Sequence, residues 1–240
     1  MEKIMYSLWK LDPRETGNEF RNRLLQEVAP QLLTAGVHKL RMMVVDDAVA
    51  AADGQCMINT KPAMDGMVSL WVDSAMHREP LEAILEQHAG RFHGYLVVES
   101  EPYPEERKRR SAPYLVAEGE RTPGMNQVVF LRCPPRLSYE QWYELWREEH
   151  GPIAYPTQGT FGYRQNTVHR VLTYAAPHFD AIVEENFVPE AIGDADGFYD
   201  AKGDPARRAR NEQRMMESVN GFIDLDKIDC IQTSEYIVKA

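Results

Sequence analysis

The chain has 240 residues, room for one large domain or two of about 110 each. Apolar residues make up 43%, enough for a core and against disorder, while a net charge of −10 and a pI near 5.2 argue against nucleic acid as a partner. No apolar run approaches the roughly 18–20 residues of a membrane span, so no membrane partner is expected.

The opening MEKIMYSLWKLDP has no long apolar stretch and no small-residue cleavage site. It reads as a first strand, Lys3 to Lys10, and the chain as cytoplasmic. Thr16 with Glu19 is a capping-box signature that opens a helix to about Leu33. Strands are expected at Val37 to Val45, Met67 to Val72 and Gly94 to Ser100, with a helix over Pro80 to His88 from the apolar spacing of Leu81, Ile84 and Leu85. A proline- and charge-rich connector follows. Its Arg107-Lys108-Arg109-Arg110 run adjoins Glu105 and Glu106 and reads as a solvated surface loop.

The second half repeats the order. Gln127 to Cys133 is a strand, and Ser138 with Gln141 is a second capping box. The helix it opens is expected to run to His150, where Gly151 and Pro152 stop it. Gly162 to Tyr174 and Ala181 to Val188 are extended, Asp204 to Val219 is a long charged helix, and Ile228 to Val238 closes the unit. Residues 189–203, with three glycines and several aspartates, read as a loop near the site. Asp194, Asp196 and Asp200 lack the closing glutamate of a calcium loop, so no metal is expected. Cys56, Cys133 and Cys230 are odd in number and widely spaced, without a CxxC, and fit small buried hydrophobes in a reducing compartment.

Both halves therefore read β-α-β-β-α-β, the ferredoxin-like unit, an α+β class. The domains are residues 1–105, a linker at 106–124, and 125–240. Two antiparallel sheets packed face to face as an α/β barrel would cover each other's apolar faces and leave a cavity between them. A single offset relates the copies: Thr16, Glu19, Phe20, Leu24, Val28 and Pro30 align with Ser138, Gln141, Trp142, Trp146, His150 and Pro152. The histidine exists only in the second copy. One fold, duplicated, with one imidazole points to one active site.

These residues carry a resemblance. The helix ending Trp146-x-x-x-His150-Gly-Pro, the Val183-Glu184-Glu185-Asn186-Phe187 strand and Phe222-Ile223-Asp224 resemble the EthD family of the dimeric α/β-barrel superfamily, over roughly 126–240. The resemblance implies a ferredoxin-like sheet pair and a pocket for small, often aromatic or polyketide-like molecules. Superfamily relatives include cofactor-free cyclases, dehydratases, decarboxylases and oxygenases, as well as haem enzymes. The first half resembles the family only through the repeat and reads as a lid for the other copy.

On a helical wheel Tyr139, Trp142, Tyr143, Trp146 and His150 share one face. That face is either an aromatic wall leading to an imidazole or a core stripe. His150 in a last helical turn feels a dipole that favours its charged form and aromatic surface that opposes it, so it is expected to titrate near working pH. The candidate catalytic residues are His150 as general acid or base, with Tyr143, Glu185 or Asp224 to orient it or hold a substrate oxygen. Trp142, Trp146 and Phe187 are the candidate substrate-binding residues. No nucleophile elbow, zinc-helix motif, dinucleotide fingerprint or phosphate loop is present, and no cofactor is expected. Three readings stand: a cofactor-free enzyme that cyclises, dehydrates, decarboxylates or oxygenates a small organic molecule; a non-catalytic binding or accessory protein; and a haem protein with His150 as axial ligand. Pairing of exposed sheet edges leaves a homodimer open.

Overall fold

A computed structural model describes all 240 residues. Its strands are β1 (Glu2–Trp9), β2 (Lys39–Val44), β3 (Gly66–Val72), β4 (Arg91–Ser100), β5 (Met125–Leu131), β6 (Thr160–Val171), β7 (Ala181–Phe187) and β8 (Asp229–Lys239). They close into one antiparallel barrel in the order β1-β3-β2-β8-β5-β7-β6-β4. Each half contributes a ferredoxin-like sheet. Pairings β2–β8 and β4–β6 join the halves, so neither sheet keeps a free edge.

Helices cover the outside. The first, α1, runs through Gly17–Arg23, a π-turn at Leu24–Val28 and Ala29–Thr34. Next come α2 (Glu79–His88) and α3 (Pro104–Ser111). The second-copy counterpart of α1 is α4: Tyr139–Glu144, a π-turn at Leu145–His150, and Gly151–Thr157. A short α5 (Ala195–Phe198) and a long α6 (Pro205–Phe222) complete the set.

Both expected capping boxes are present, at Thr16 with Glu19 and at Ser138 with Gln141. Four expectations are corrected. The helix does not stop at His150. Pro152 lacks an N–H and its ring crowds the carbonyl four residues back, and the π-turn just before it re-spaces the ladder so that the helix continues to Thr157. The π-turn at Leu24–Val28 does the same for Pro30, so the duplication extends to the helical defect. The connector is not a bare loop: Pro104–Ser111 is helical, Glu106 pairs with Arg109 and Arg110, and Arg110 donates to the carbonyls of Gln158 and Thr160. Residues 189–203 contain α5 instead of an open loop, and the last helix extends to Phe222.

Most of the barrel lumen is filled. Towards one end Met5, Met43, Met67, Tyr95, Phe130, Phe179 and Ile182 pack together. Towards the other lies a charged layer. The Lys3 ammonium binds Glu184 closely and reaches Glu99 at 2.7 Å and Asn166 Oδ1 at 2.8 Å. Arg164 binds Glu235, which also accepts from Thr122 and Asn186, each at 2.9 Å. Burial raises the Glu184 carboxyl, but Lys3 and Arg164 more than offset this and hold it far below the usual range. The expected cavity between the two sheets is therefore replaced by core along most of the lumen, and open space remains only towards the charged mouth.

Removing one member of a buried ion pair strands the other. Lys3→Met is expected to destabilise the fold by about 3–5 kcal/mol in urea unfolding at neutral pH. The double variant Lys3→Met with Glu184→Leu should recover a large part of that loss, since it leaves Arg41–Glu99 and Arg164–Glu235 intact.

Candidate active site

The two copies differ on their helical faces. In the first, Phe20, Leu24, Val28 and Leu32 of α1 interlock with Ile4, Tyr6, Leu8, Val68 and Leu81, and the space between helix and sheet is filled. In the second, Trp142 and Trp146 are fully buried, yet a cavity of about 350 Å³ opens between the sheet and helices α4 and α6. The connections explain the difference. The chain passes from β3 to α2 over residues 73–78, but from β7 to α6 over 188–204, and that longer excursion contributes Ala195, Phe198 and Tyr199 to the cavity wall.

The floor of the cavity follows from strand register. Gln127 pairs with Gln232 on one side and Glu185 on the other, and Glu185 pairs with Tyr163. Gln232, Gln127, Glu185 and Tyr163 thus form one polar row across four strands, on the face that the helices cover. Gln232 Nε2 donates to Gln127 Oε1 at 3.0 Å, and Trp146 Nε1 donates to the Tyr163 hydroxyl at 3.2 Å. Glu185 Oε1, Gln165 Oε1 and Gln232 Oε1 are buried without a hydrogen-bond partner. Buried polar atoms are nearly always paired, and Glu185, alone of these three residues, lines the cavity, so its free oxygen marks where a ligand's polar atom would sit. The walls are apolar or soft: Val129, Leu131, Val183, Phe222, Met215 and Met216.

His150 stands over this floor. It lies at the end of the α4 π-turn, its ring 4.9 Å from that of Phe222, and its Nδ1 is 3.0 Å from Ser218 Oγ on α6. Its Nε2 has no protein partner. Burial lowers its pKa to about 4, so desolvation wins and the imidazole is neutral at neutral pH; the expectation that it titrates near working pH is corrected. Glu185 is shifted the other way. Burial pushes its carboxyl up to about 8, and it holds its proton at neutral pH. No Lys or Arg lines the cavity.

Of the sequence candidates, the structure brings His150, Glu185 and Trp146 to the cavity. Trp142 lies behind Trp146, stacked at 5.2 Å. Tyr143 packs edge-on against Trp146 from outside the cavity, beneath the Arg147 guanidinium. Phe187 stacks at 4.6 Å under Phe198, which faces the cavity in its place. Asp224 is ion-paired with Arg136 at the surface and away from the cavity, because α6 runs on to Phe222 and leaves it on the following turn. Sequence reasoning missed Gln127 and Tyr163. Gln127 shares parity with Val129 and Leu131, and a polar residue in a core stripe was the available signal. It also missed Gln55 and Met57, which the first half lends to the wall. Gln55 donates to the Ala191 carbonyl at 3.1 Å and accepts from Gly193 N–H at 3.0 Å, tying the excursion down.

Residues 134–226 match the family model described as the EthD domain. Among solved structures, an anthrone oxidase-like protein superposes with a TM-score of 0.55 at 8% identity, over 99% of this chain and 91% of that one. A putative monooxygenase from Lactobacillus acidophilus NCFM gives 0.47 at 10% identity, over 100% and 97%. A mutant chlorite dismutase from Candidatus Nitrospira defluvii gives 0.48 at 11% identity, over 99% and 92%. The first of these shares the fold. No functionally curated protein matches the sequence.

The two shifted groups act oppositely on stability. Glu185 keeps a proton that the unfolded chain loses near pH 4.3, so it costs stability as pH rises from there to about 8. His150 lacks a proton that the unfolded chain binds below about pH 6.5, so stability rises with pH from about 4 to about 6.5. The two slopes cancel below about pH 6.5, and above it Glu185 acts alone. Thermal melts should therefore show wild type losing stability between pH 6.5 and 8 relative to Glu185→Gln. A constant difference in Tm across that range would mean that the carboxyl is already ionised.

Proposed function

We propose, from the match of residues 134–226 to the EthD domain model and from the cavity that those residues line, that the protein is an enzyme. It acts by general acid–base chemistry, without a cofactor, on a small uncharged aromatic or polyketide-like molecule. The observation that carries this reading is the opposed pair in one apolar cavity: His150, a neutral imidazole with a free ring nitrogen, and Glu185, a protonated carboxyl with an unpaired oxygen. One can accept a proton and the other can donate a hydrogen bond, both at neutral pH.

The substrate's flat body lies between Trp146, Phe198 and Phe222, with its oxygens towards the polar row of Gln127, Glu185 and Tyr163. His150 removes a proton from a phenol or from carbon next to a carbonyl. Glu185 donates to the oxygen on which charge develops, in a site that excludes water. His150 is a weak base in the empty cavity because nothing there balances an imidazolium. The substrate anion supplies that balance as it forms. Ring closure, loss of water and capture by molecular oxygen are alternative fates of that one anion, whereas loss of carbon dioxide needs a carboxylate on the substrate. Ser218 sets the orientation of the ring, and the absence of cations on the wall disfavours a carboxylate substrate. A haem does not fit this lining: the propionates of a buried porphyrin would find no Lys or Arg, and the neighbouring carboxyl is Glu185.

Screening phenols and 1,3-dicarbonyl compounds tests the reading. Wild type should convert one of them, and His150→Ala should bind the same compound with little change in affinity while losing on the order of 10²–10⁴-fold in kcat. Turnover by His150→Ala at the wild-type rate would overturn the mechanism. The kcat/KM profile should be bell-shaped, with limbs near 4 and 8 from His150 and Glu185, and Glu185→Gln should abolish the alkaline limb.

A further inference from the structure

The charged end of the barrel holds a second cavity of about 300 Å³, separate from the one under the helices. Strand β7 divides them, since Asn186 lines this one and Glu185 the other. Five cationic side chains line it, Lys39, Arg41, Arg107, Arg164 and Lys239, against one carboxylate side chain, Glu235. In a chain of net charge −10 that is a local reversal of sign.

The Glu235 carboxylate is already satisfied. Glu235 accepts from Arg164, Thr122 and Asn186, which uses both of its oxygens. The cations are less well matched. Arg164, buried in the lumen, is ion-paired with Glu235 and Glu184 but its Nε makes no hydrogen bond, and Arg107 pairs with Glu101 at 3.2 Å, which leaves Arg41, Lys39 and Lys239 as the cations without a close carboxylate. Arg41 stacks over Trp71 at 4.8 Å and makes one loose contact of 3.4 Å with Glu99, which also serves Lys3. Lys39 makes no ion pair, and Lys239 has only the Val37 carbonyl, at 3.1 Å. A recess with low-dielectric walls focuses the field of such unbalanced cations, and guanidinium forks match planar oxyanions. The opposite wall is flat and apolar. Phe161 and Tyr114 stack at 4.4 Å with an interplanar angle of 23°, flanked by Val116 and Ile237.

We propose that this barrel-mouth cavity is a second ligand site, and that it takes a small aromatic carboxylate. The carboxylate sits among Arg41, Lys39 and the edge of Arg164, and its ring lies against Phe161 and Tyr114. The volume suits a one- or two-ring compound, at the small end of ligand pockets. The two cavities thus differ in kind. The one beneath the helices lacks a cation and suits a neutral molecule; this one requires an anion.

Isothermal titration with 2-naphthoate, 2-naphthalenemethanol and inorganic phosphate tests the assignment. Wild type is expected to bind 2-naphthoate, more weakly as salt is raised. The neutral alcohol and phosphate should each bind at least about tenfold more weakly. The Lys39→Glu, Lys239→Glu double variant should lose at least about tenfold in affinity for 2-naphthoate while retaining a wild-type Tm. If the double reversal does not fold, Lys39→Gln and Arg41→Gln serve in its place. Failure of 2-naphthoate to bind, equal affinity for the alcohol, or unchanged affinity in the charge variants would overturn the proposal. Phosphate binding as tightly as 2-naphthoate would overturn the aromatic part of it.

Discussion

Side chains on a strand alternate between its faces, and in β7 that rule separates two consecutive glutamates. Glu184 points into the lumen and meets Lys3, Arg164 and Asn166. Glu185 points the other way and meets no cation. The first is held ionised by its partners and the second is held protonated by burial. A slip of β7 by one residue would exchange them, putting an unpaired acid in the lumen and an ionised one under the helices. The charged layer therefore does more than fill the barrel. It locks the register of β7 and so fixes a protonated carboxyl at the cavity floor, a position that local energetics alone would not choose.

Duplication supplied the frame, and the differences between copies supplied the cavity. Val28 is fully buried in the first copy, at the position where the second has His150. Both lie at the end of a π-turn that lets a proline follow inside a continuous helix. In the first copy the short β3–α2 connection draws α2 down onto the sheet. In the second, residues 188–204 intervene before α6, and α5 among them becomes wall. The first half is more than a partner sheet, because Gln55 ties that excursion down and Met57 joins the lining.

The fold was legible because its signals are local and repeated: two capping boxes, two helices at one offset, and strands with alternating patterns. The site was legible only in part. His150 stood out because its sister position is apolar, and Glu185 because an acid interrupts an apolar strand. Neither fact reveals which face of β7 the acid occupies, since that depends on pairing with β5 and β6. Asp224 looked like a partner for His150 because both are near helix ends in sequence, but Arg136 claims it at the surface. Gly151-Pro152 looked like a stop because a π-turn has no sequence signature of its own. The cavity was expected between the sheets because the lumen charges, scattered over Lys3, Glu99, Arg164, Glu184 and Glu235, come together only when the barrel closes.

At neutral pH in water, the usual carboxylate is ionised and imidazole is partly protonated. The cavity reverses both, leaving an acid that holds its proton and a base that lacks one. The two neutral forms differ from a carboxylate–imidazolium pair only in where one proton sits. On the proposed mechanism a substrate is the path for that proton: it gives one to His150 and can receive one from Glu185. The charges left behind attract each other in a low dielectric, which offsets part of the cost of creating them. Bulk water supplies no such geometry, because it would ionise the carboxyl before the substrate arrived. Burial without a charged partner is therefore the condition that both members of the pair require: no cation on the wall ionises Glu185, and while Glu185 stays neutral no anion draws a proton onto His150.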